Sequence, residues 1–274
     1  MQAPPLDALA MLARAAGREI MIIWRQGVRA QEKLDGSPVT LADQRAEALI
    51  EVGLAKLCPG APMIGEEATA EGRVPARGAA WFLVDPLDGT KEFISPDGSG
   101  EFTVNIAWIE AGEPRLGVVY APKSGWLFGG GPDGAWRQPC DPATAEPRGP
   151  QEPLRVSARG PEALRCVASR RSAGDETEAF ITRCGAVERR AVSSSLKFCI
   201  IAEGEADIYP RLNPTNEWDL AAGHAILTAA GGGVMTPDGA PLRYRAEGAA
   251  FLIPRFIAYG GAAAERAARA AAGC

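Results

Sequence analysis

The stretch of residues 81–90 constrains the fold of this chain more than any other. It reads W-F-L-V-D-P-L-D-G-T, in which four bulky apolar residues end abruptly at the charge of Asp85. The apolar run predicts a buried strand, and the proline that follows Asp85 keeps that residue out of helical backbone. Gly89 allows a tight turn, and Asp88 and Thr90 are residue types typical of helix starts. The stretch therefore predicts a buried strand that ends in a turn with two carboxylates.

Asp85 and Asp88, beside the hydroxyl of Thr90, have two interpretations. The first is a strand, a turn and a capped helix with no further role. The second is one part of an oxygen-ligand metal site, because carboxylates at the end of a strand are rigidly held ligands for hard cations. D-x-x-D-G-T taken alone favours the first interpretation, so the rest of the chain has to decide.

Composition excludes several classes of protein. The 274 residues are 46% hydrophobic and 23% charged, which is typical of a globular protein with a large core. A net charge of −5 argues against general polyanion binding, so no nucleic-acid partner is expected. The single histidine, His224, argues against histidine-rich zinc sites and Ser-His-Asp hydrolysis.

The location of the protein is also indicated by the sequence. The six cysteines include no C-x-x-C pair, a pattern typical of reduced thiols. Charged residues interrupt the N-terminal apolar residues, and no uncharged apolar run reaches the length of a membrane span. We therefore predict a cytoplasmic protein without an integral membrane segment, and a peripheral position on the inner face of the membrane stays open.

Two helices are expected before the stretch at residues 81–90. Apolar residues recur every three or four positions from residue 6 to about residue 28, which predicts an amphipathic helix. A Gly/Pro turn with hairpin character follows at residues 33–40, and Thr40 is expected to cap a second helix. Asp43 then lies in the first turn of that helix, where its simplest role is to complement the helix dipole.

Strands are expected around these helices. A short apolar strand ends in Glu66 and Glu67, just as the later strand ends at Asp85. After Thr90, three apolar segments separated by turns predict an antiparallel meander. Residues 137–153 carry five prolines among small and polar residues, and they are the best candidate for a boundary between two halves.

The second half changes pattern. Short apolar runs alternate there with helical patterns, at residues of about 175–184, 194–204 and 218–230. This alternation is typical of an α/β layer. We therefore predict an α/β protein with an α+β half at residues 1–150 and an α/β half at residues 151–259. The Ala-rich tail at residues 260–274 has too little apolar bulk for a core and is expected to be a frayed surface helix or a disordered end.

Four carboxylates stand at the ends of predicted elements: Glu66, Asp85, Asp88 and Asp219. Asp219 opens the helix in W-D-L-A-A-G-H, and a helix-start aspartate taken alone is more often a cap. It would equally place a carboxylate beside free backbone N–H groups, which suits a metal-bound phosphate. Because no soft ligand accompanies the four oxygen donors, they fit Mg²⁺ better than zinc or copper.

Phosphate-ester hydrolysis is the reaction that such a site suits. Paired magnesium ions lower the pKa of a bound water, steady the leaving oxygen and neutralise the phosphoryl oxygens. Thr90 lies near the carboxylates in sequence, and a threonine hydroxyl bonded to a carboxylate can orient and deprotonate the attacking water. Asp43 is our candidate for that carboxylate, as a hypothesis about two residues far apart in the chain.

Three motifs now occur in order: G-E-E at 65–67, D-P-L-D-G-T at 85–90 and W-D-L-A-A-G-H at 218–224. Together they resemble the inositol monophosphatase superfamily of lithium-sensitive, magnesium-dependent phosphatases. Other segments are similar to the bacterial CysQ-type 3′(2′),5′-bisphosphate nucleotidases: D-G-T-K-E-F-I at 88–94, E-F-T-V-N-I-A at 101–107, G-V-V-Y-A-P at 117–122, S-S-L-K-F-C at 194–199 and Y-P-R at 209–211. The resemblance covers residues 6–259.

The resemblance implies a layered αβαβα sandwich of the inositol monophosphatase and fructose-1,6-bisphosphatase type. It also implies two magnesium ions, or three, in each active site. The first ion would be held by Glu66, Asp85 and the backbone carbonyl of Leu87, and the second by Asp85, Asp88 and Asp219. Thr90 and Asp43 match the water-activating pair, and Glu67 would help to hold a metal-bound water.

The resemblance assigns the substrate contacts to Glu66, Leu87, Asp88, Gly89, Thr90, Ser194, Lys197 and Asp219. Lys197 also suits this role physically, because a point charge on a flexible stem can meet a second phosphate. The plain alternative for Lys197 is a solvated lysine on a helix face. The implied substrate is adenosine 3′,5′-bisphosphate (PAP), hydrolysed to AMP and phosphate, with the sulfated analogue PAPS as a second substrate and a role in sulfur assimilation and PAP recycling.

Two other functions stay open. The first is hydrolysis of inositol phosphates or sugar phosphates by a relative with the same chemistry, although such enzymes typically have T-N-F where this chain has K-E-F at 91–93. The second is a non-catalytic protein that binds metal or nucleotide. One segment departs from the family pattern, since S-P-D-G-S-G at 95–100 is longer than the usual loop and can alter loop mobility or substrate preference. A small-molecule substrate is expected, with the chain as a monomer or a homodimer.

Overall fold

The computed structural model describes residues 1–27, 30–32, 38–95, 100–169, 174–244 and 251–274. Its helices are α1 (Leu6–Arg25), α2 (Leu41–Leu57), α3 (Glu66–Ala70), α4 (Thr90–Phe93), α5 (Asp175–Arg183), α6 (Leu196–Ala202), α7 (Glu217–Ala229) and α8 (Gly261–Ala272). Its strands are β1 (Ala30–Glu32), β2 (Pro38–Thr40), β3 (Met63–Gly65), β4 (Ala80–Asp88), β5 (Thr103–Glu110), β6 (Glu113–Ala121), β7 (Trp126–Gly131), β8 (Gly134–Pro139), β9 (Glu152–Leu154), β10 (Arg165–Ser169), β11 (Glu188–Val192), β12 (Ile208–Arg211), β13 (Thr215–Asn216), β14 (Gly233–Met235), β15 (Leu252–Ile253) and β16 (Phe256–Tyr259).

A seven-stranded and a five-stranded sheet build most of the fold. The first has the order β3-β4-β5-β6-β7-β8-β9, and the second has the order β11-β10-β12-β16-β14. Strands β5, β6 and β7 pair antiparallel, which confirms the predicted meander. Strand β11, which the sequence did not suggest, pairs in parallel with β10 at the edge of the second sheet.

The sheets and helices form five layers. Helices α1 and α2 cover one face of the seven-stranded sheet, α6 and α7 lie between the two sheets, and α5 and α8 cover the outer face of the second sheet. Alternate residues of β5 point to different layers, since Ile106 packs with α1 and α2 while Ala107 packs with the central helices. The predicted αβαβα sandwich is confirmed.

The central helix α7 joins the two halves. It contacts β5, β6 and β7 of the first sheet and β14 of the second. A Cβ atom at Gly117 of β6 would lie 2.2 Å from the carbonyl oxygen of Ala222, so only glycine lets α7 approach this strand so closely. The first sheet also extends to Leu154, past the predicted boundary at residue 150.

The Ala-rich tail forms helix α8. Helix α8 is not a disordered end, because its Ala264 and Ala268 are buried and their small side chains let the helix pack closely against β16 and α5.

The predicted turn at 33–40 and the long loop at 95–100 fall largely outside the described residues, although β1 and β2 on either side of the turn pair antiparallel. Within the described residues, we find no helix of the length and apolarity needed to cross a bilayer.

Candidate active site

The turn with two carboxylates forms at the end of β4. The pairing of β4 with β5 shifts register between Asp85 and Asp88, so the strand carries a bulge there. Bulges of this kind re-aim side chains next to active sites. Gly89 follows with a φ of 100°, and a Cβ there would lie 3.1 Å from the carbonyl oxygen of Glu101. Glycine is therefore required for the turn that places Thr90 at the start of α4.

The carboxylates predicted from the sequence act on one another. Burial raises the pKa of Asp85 well above its usual range, and the negative charges of Glu66, Asp88 and Asp219 raise it further. Burial and the neighbouring Asp88 raise the pKa of Asp219 to about 7. We call Glu66, Asp85, Asp88 and Asp219 the acidic cluster.

The acidic cluster fits Mg²⁺ by its chemistry. Carboxylates that repel one another in a buried place are stabilised by a nearby cation, and hard oxygen donors are the ligands that Mg²⁺ prefers. In the described part of the chain, no three Asp, Glu, His or Cys side chains already stand as a closed metal-ligand group. The ligand set is therefore inferred from charge and donor type, and the carbonyl of Leu87 lies on the same bulge.

Thr90 and Asp43 lie together, as the hypothesis of a water-activating pair requires. The hydroxyl of Thr90 donates to Asp43 Oδ1 at 3.3 Å or to the carbonyl oxygen of Leu87 at 3.2 Å. Asp43 Oδ2 accepts hydrogen bonds from the backbone N–H and the hydroxyl of Thr40 at 2.8 and 2.6 Å. The predicted cap of α2 thus also orients the carboxylate of Asp43 toward Thr90.

Glu66 and Glu67 begin the short helix α3, whose first turn is hydrogen-bonded to a side chain of α2. The backbone N–H groups of Glu67 and Ala68 donate to the two carboxylate oxygens of Glu47 at 2.8 and 2.7 Å. Burial raises the pKa of Glu47 more than these two hydrogen bonds lower it. Sequence reasoning missed Glu47, whose signal is an acidic residue beside Ala46 on the inner face of α2.

The sequence suggested that Asp219 opens the helix, but Asp219 is the third residue of α7. Asn216 is the N-cap, and its backbone N–H donates to Asp219 Oδ2 at 3.1 Å. The hydroxyl of Thr215 donates to the same oxygen. Both hydrogen bonds go to Oδ2, so the capping role does not require Oδ1 and is compatible with a metal role.

Lys197 is buried in the cleft and is not a solvated lysine. Its side chain is 4% exposed, and Nζ lies 5.2 Å from the ring centre of Tyr209. Nζ donates to the carbonyl oxygens of Ser194 and Val192 at 2.5 and 3.4 Å. An ammonium group has three N–H donors, so one is left for a ligand in the cleft.

Ser194 and Arg211 line the same cleft. Ser194 has a φ of 55°, in the left-handed region, and its buried Oγ has no hydrogen-bond partner among the described residues. Burial disfavours the charge of Arg211, but Tyr209 and the carboxylates of Asp219 and Asp88 outweigh this and raise its pKa. The Y-P-R motif at 209–211 contains Arg211 but does not indicate a role for it. We call Lys197 and Arg211 the cationic pair.

A chain of hydrogen bonds that the sequence did not predict lies under the acidic cluster. The hydroxyl of Ser195 is 2.9 Å from Asp88 Oδ2 and 2.7 Å from the carbonyl oxygen of Asp219. The side-chain amide of Asn105 donates to Ser195 Oγ at 2.8 Å. Asp88 lies on β4, Asn105 on β5, Ser195 at the start of α6 and Asp219 in the first turn of α7.

One cleft of about 290 Å³ brings some of these groups together with the cationic pair. Of the residues predicted from the sequence, it is lined by Asp88, Gly89, Ser194, Lys197 and Asp219. Glu66 and Asp85 do not line this cleft but interact by charge with Asp88 and Asp219, which do. Thr90 follows Gly89 of the cleft in the chain and is joined to Asp43 and Leu87 by hydrogen bonds. Glu67 is buried in α3, and its predicted role stays a prediction.

Several known proteins are similar to this chain in sequence and fold. The model of the inositol monophosphatase family matches residues 2–271. The 3′(2′),5′-bisphosphate nucleotidase CysQ of Escherichia coli K12 is 41% identical over 254 residues, which are 92% of this chain and 98% of that protein. The crystal structure of CysQ from Bacteroides thetaiotaomicron has a TM-score of 0.75 at 34% identity and covers 93% of this chain and 97% of its own.

A second solved structure shows the same architecture in a more distant relative. The IMPase of Thermotoga maritima has a TM-score of 0.75 at 26% identity and covers 98% of this chain and 96% of its own. The match of the family model to nearly all of the sequence agrees with these likenesses. This chain belongs to the inositol monophosphatase family.

Proposed function

We propose that this chain is a 3′(2′),5′-bisphosphate nucleotidase that uses Mg²⁺ to remove the 3′-phosphate of PAP, giving AMP and phosphate. The observation that carries the proposal is a cleft in which Asp88 and Asp219 of the acidic cluster face the cationic pair. A bisphosphate needs both, because one phosphate reacts and the other must be bound. The likeness to CysQ proteins that are named bisphosphate nucleotidases supports the same assignment.

The acidic cluster and the carbonyl of Leu87 would hold the metal. Bound Mg²⁺ supplies positive charge against the phosphoryl oxygens and lowers the pKa of a water molecule. The chain itself supplies the placement: Asp85 and Asp88 are fixed by strand pairing and Asp219 by the first turn of α7. We propose two ions in the working enzyme, as the resemblance implies.

Thr90 and Asp43 are proposed to activate the attacking water. The two hydrogen bonds from Thr40 hold Asp43 Oδ2, and Oδ1 faces the hydroxyl of Thr90. When Thr90 donates its proton to Asp43, the lone pair of its oxygen can accept a proton from water. The water is thereby oriented and made a better nucleophile.

The cationic pair is proposed to bind the second phosphate. Lys197 keeps one N–H for it, and the guanidinium of Arg211 can form two parallel hydrogen bonds with a phosphate. The hydroxyl of Ser194, which has no hydrogen-bond partner in the part of the chain that the structure describes, adds a third donor to the lining of the cleft. PAPS carries the same 3′-phosphate and is proposed as a second substrate.

Phosphate release from four compounds tests the proposal. The purified chain is given PAP, PAPS, 3′-AMP or inositol 1-phosphate, with Mg²⁺ or with EDTA. We expect kcat/KM for PAP to exceed that for inositol 1-phosphate by about a hundredfold or more, because the latter leaves the cationic pair unsatisfied. A preference for inositol 1-phosphate would contradict the substrate assignment, and nucleotide binding without phosphate release would identify a non-catalytic protein.

A further inference from the structure

The hydroxyl of Ser195 lies between two parts of the acidic cluster. It is within hydrogen-bond distance of Asp88 Oδ2, at 2.9 Å, and of the backbone carbonyl of Asp219, at 2.7 Å. Asp88 belongs to the first sheet and Asp219 to the central helix, and 107 positions separate Ser195 from Asp88 in the chain. One side chain therefore connects the two elements that carry these carboxylates.

The direction of the hydrogen bonds follows from the donors present. Asn105 donates its amide N–H to Ser195 Oγ at 2.8 Å, which occupies a lone pair of that oxygen. The single proton of Ser195 is then directed to the two acceptors, Asp88 and the carbonyl of Asp219. Asn105 and Ser195 are 1% and 2% exposed, so water does not replace these bonds.

A simple structural role does not account for this arrangement. Ser195 is the N-cap residue of α6, a position where serine commonly bonds the free N–H groups of the helix. Here the side chain makes no capping hydrogen bond. Its hydroxyl is directed to the acidic cluster instead.

We propose that Ser195, supported by Asn105, is a positioning residue for Mg²⁺ binding. It sets the rotation of the Asp88 carboxylate and the distance between Asp88 and the first turn of α7, which carries Asp219. Oδ2 of Asp88 accepts the hydrogen bond from Ser195, so the rotation that Ser195 sets would decide how this carboxylate meets a metal ion. The inference rests on the proposed function, in which Asp88 and Asp219 hold the same ion.

Calorimetric titration of the substrate-free chain with MgCl₂ tests this proposal. Residues that orient metal ligands typically change affinity by tenfold to a hundredfold, so we expect Ser195→Ala to raise the dissociation constant by about tenfold or more. Asn105→Ala leaves Ser195 in place but frees its hydroxyl to turn, so we expect a smaller rise in the same direction. Ser157→Ala is the matched control, because the Ser157 hydroxyl accepts a local hydrogen bond from the N–H of Arg159 at 3.1 Å and lies outside the cleft.

Kinetics and thermal unfolding complete the test. With Ser195→Ala, we expect turnover to be lost at low Mg²⁺ and regained at high Mg²⁺, with the KM for PAP unchanged because the cationic pair is intact. A purely structural role predicts instead a lower unfolding temperature of the metal-free protein with unchanged Mg²⁺ affinity, and that result would overturn the inference. If the unaltered chain binds no Mg²⁺, the proposed function fails. If the unaltered chain and Ser195→Ala bind it equally, only this inference fails.

Discussion

Asp88 and Asp219 of the acidic cluster share a cleft with the cationic pair, but the cluster and the pair are held in different ways. Asp85 and Asp88 lie on β4, which is paired on both sides within the first sheet. Lys197 is held by carbonyl oxygens from a segment that includes the left-handed backbone of Ser194. Changes to the acidic cluster should therefore reduce turnover with every substrate, whereas changes to the cationic pair should alter which substrate is preferred.

The largest effect is expected for Asp88→Asn. This change keeps the size of the side chain but removes a negative charge from the acidic cluster, where that charge would hold the metal. We expect kcat to fall by about a thousandfold with PAP and with 3′-AMP alike, because both need the same charge stabilisation. Steady-state phosphate release at saturating Mg²⁺ measures it.

A matched control for Asp88→Asn is Asp133→Asn. Asp133 lies in the turn between β7 and β8, far along the chain from the acidic cluster. The Asp133→Asn variant should have normal turnover with PAP and with 3′-AMP. Near-normal activity of Asp88→Asn would contradict the assignment of the acidic cluster as the metal site. A loss of turnover with PAP but not with 3′-AMP would mean that Asp88 selects the substrate and does not bind the metal.

A second prediction concerns pH. Burial and its neighbour Asp88 raise the pKa of Asp219 to about 7 from its ordinary value of 3.8. In the metal-free protein this carboxyl is therefore protonated below pH 7, and Mg²⁺ must displace the proton to bind. We expect Mg²⁺ affinity to rise by about tenfold per pH unit for each displaced proton, and the contribution of Asp219 to this rise to end above pH 7.

The same pKa shift has a consequence for stability. A carboxyl whose pKa is raised in the folded state stabilises the fold below its unfolded-state pKa, and this contribution is lost as pH rises through 7. The unfolding temperature of the metal-free chain should fall as the pH rises from about 4 to 7. Added Mg²⁺ should raise the unfolding temperature most above pH 7. An affinity independent of pH from 5 to 8 would contradict the idea that the metal displaces a proton here.

The sequence was informative where local chemistry decides the structure. Thr40 caps α2 as expected, and Asp43 in its first turn faces Thr90. The strand and turn at residues 81–90 were also predicted, although β4 runs on to Asp88 through a bulge. In these cases the residue type and its immediate neighbours determine the backbone, so a pattern of a few residues is sufficient.

Other features depend on how distant elements pack. Asn105 and Ser195 are 90 positions apart, and their contact follows from the packing of the first sheet against α6. The exposed, charged residues of β11 show no apolar run, so its pairing with β10 could not be seen in the sequence. Arg211 stood in a motif with no physical reason attached until the fold brought it beside Asp219.

The smallest effect is expected for Lys197→Met, which tests the cationic pair. Methionine keeps much of the stem that packs near Tyr209 but removes the charge and its hydrogen bonds. Loss of one charged contact to phosphate should raise the KM for PAP by about tenfold, while the KM for 3′-AMP changes little because it lacks the 5′-phosphate. The control is Lys56→Met, an exposed lysine in the last turn of α2. Equal effects on both substrates would mean that Lys197 acts by supporting the backbone of Ser194, and the cationic pair would then reduce to Arg211 as the group that selects a bisphosphate.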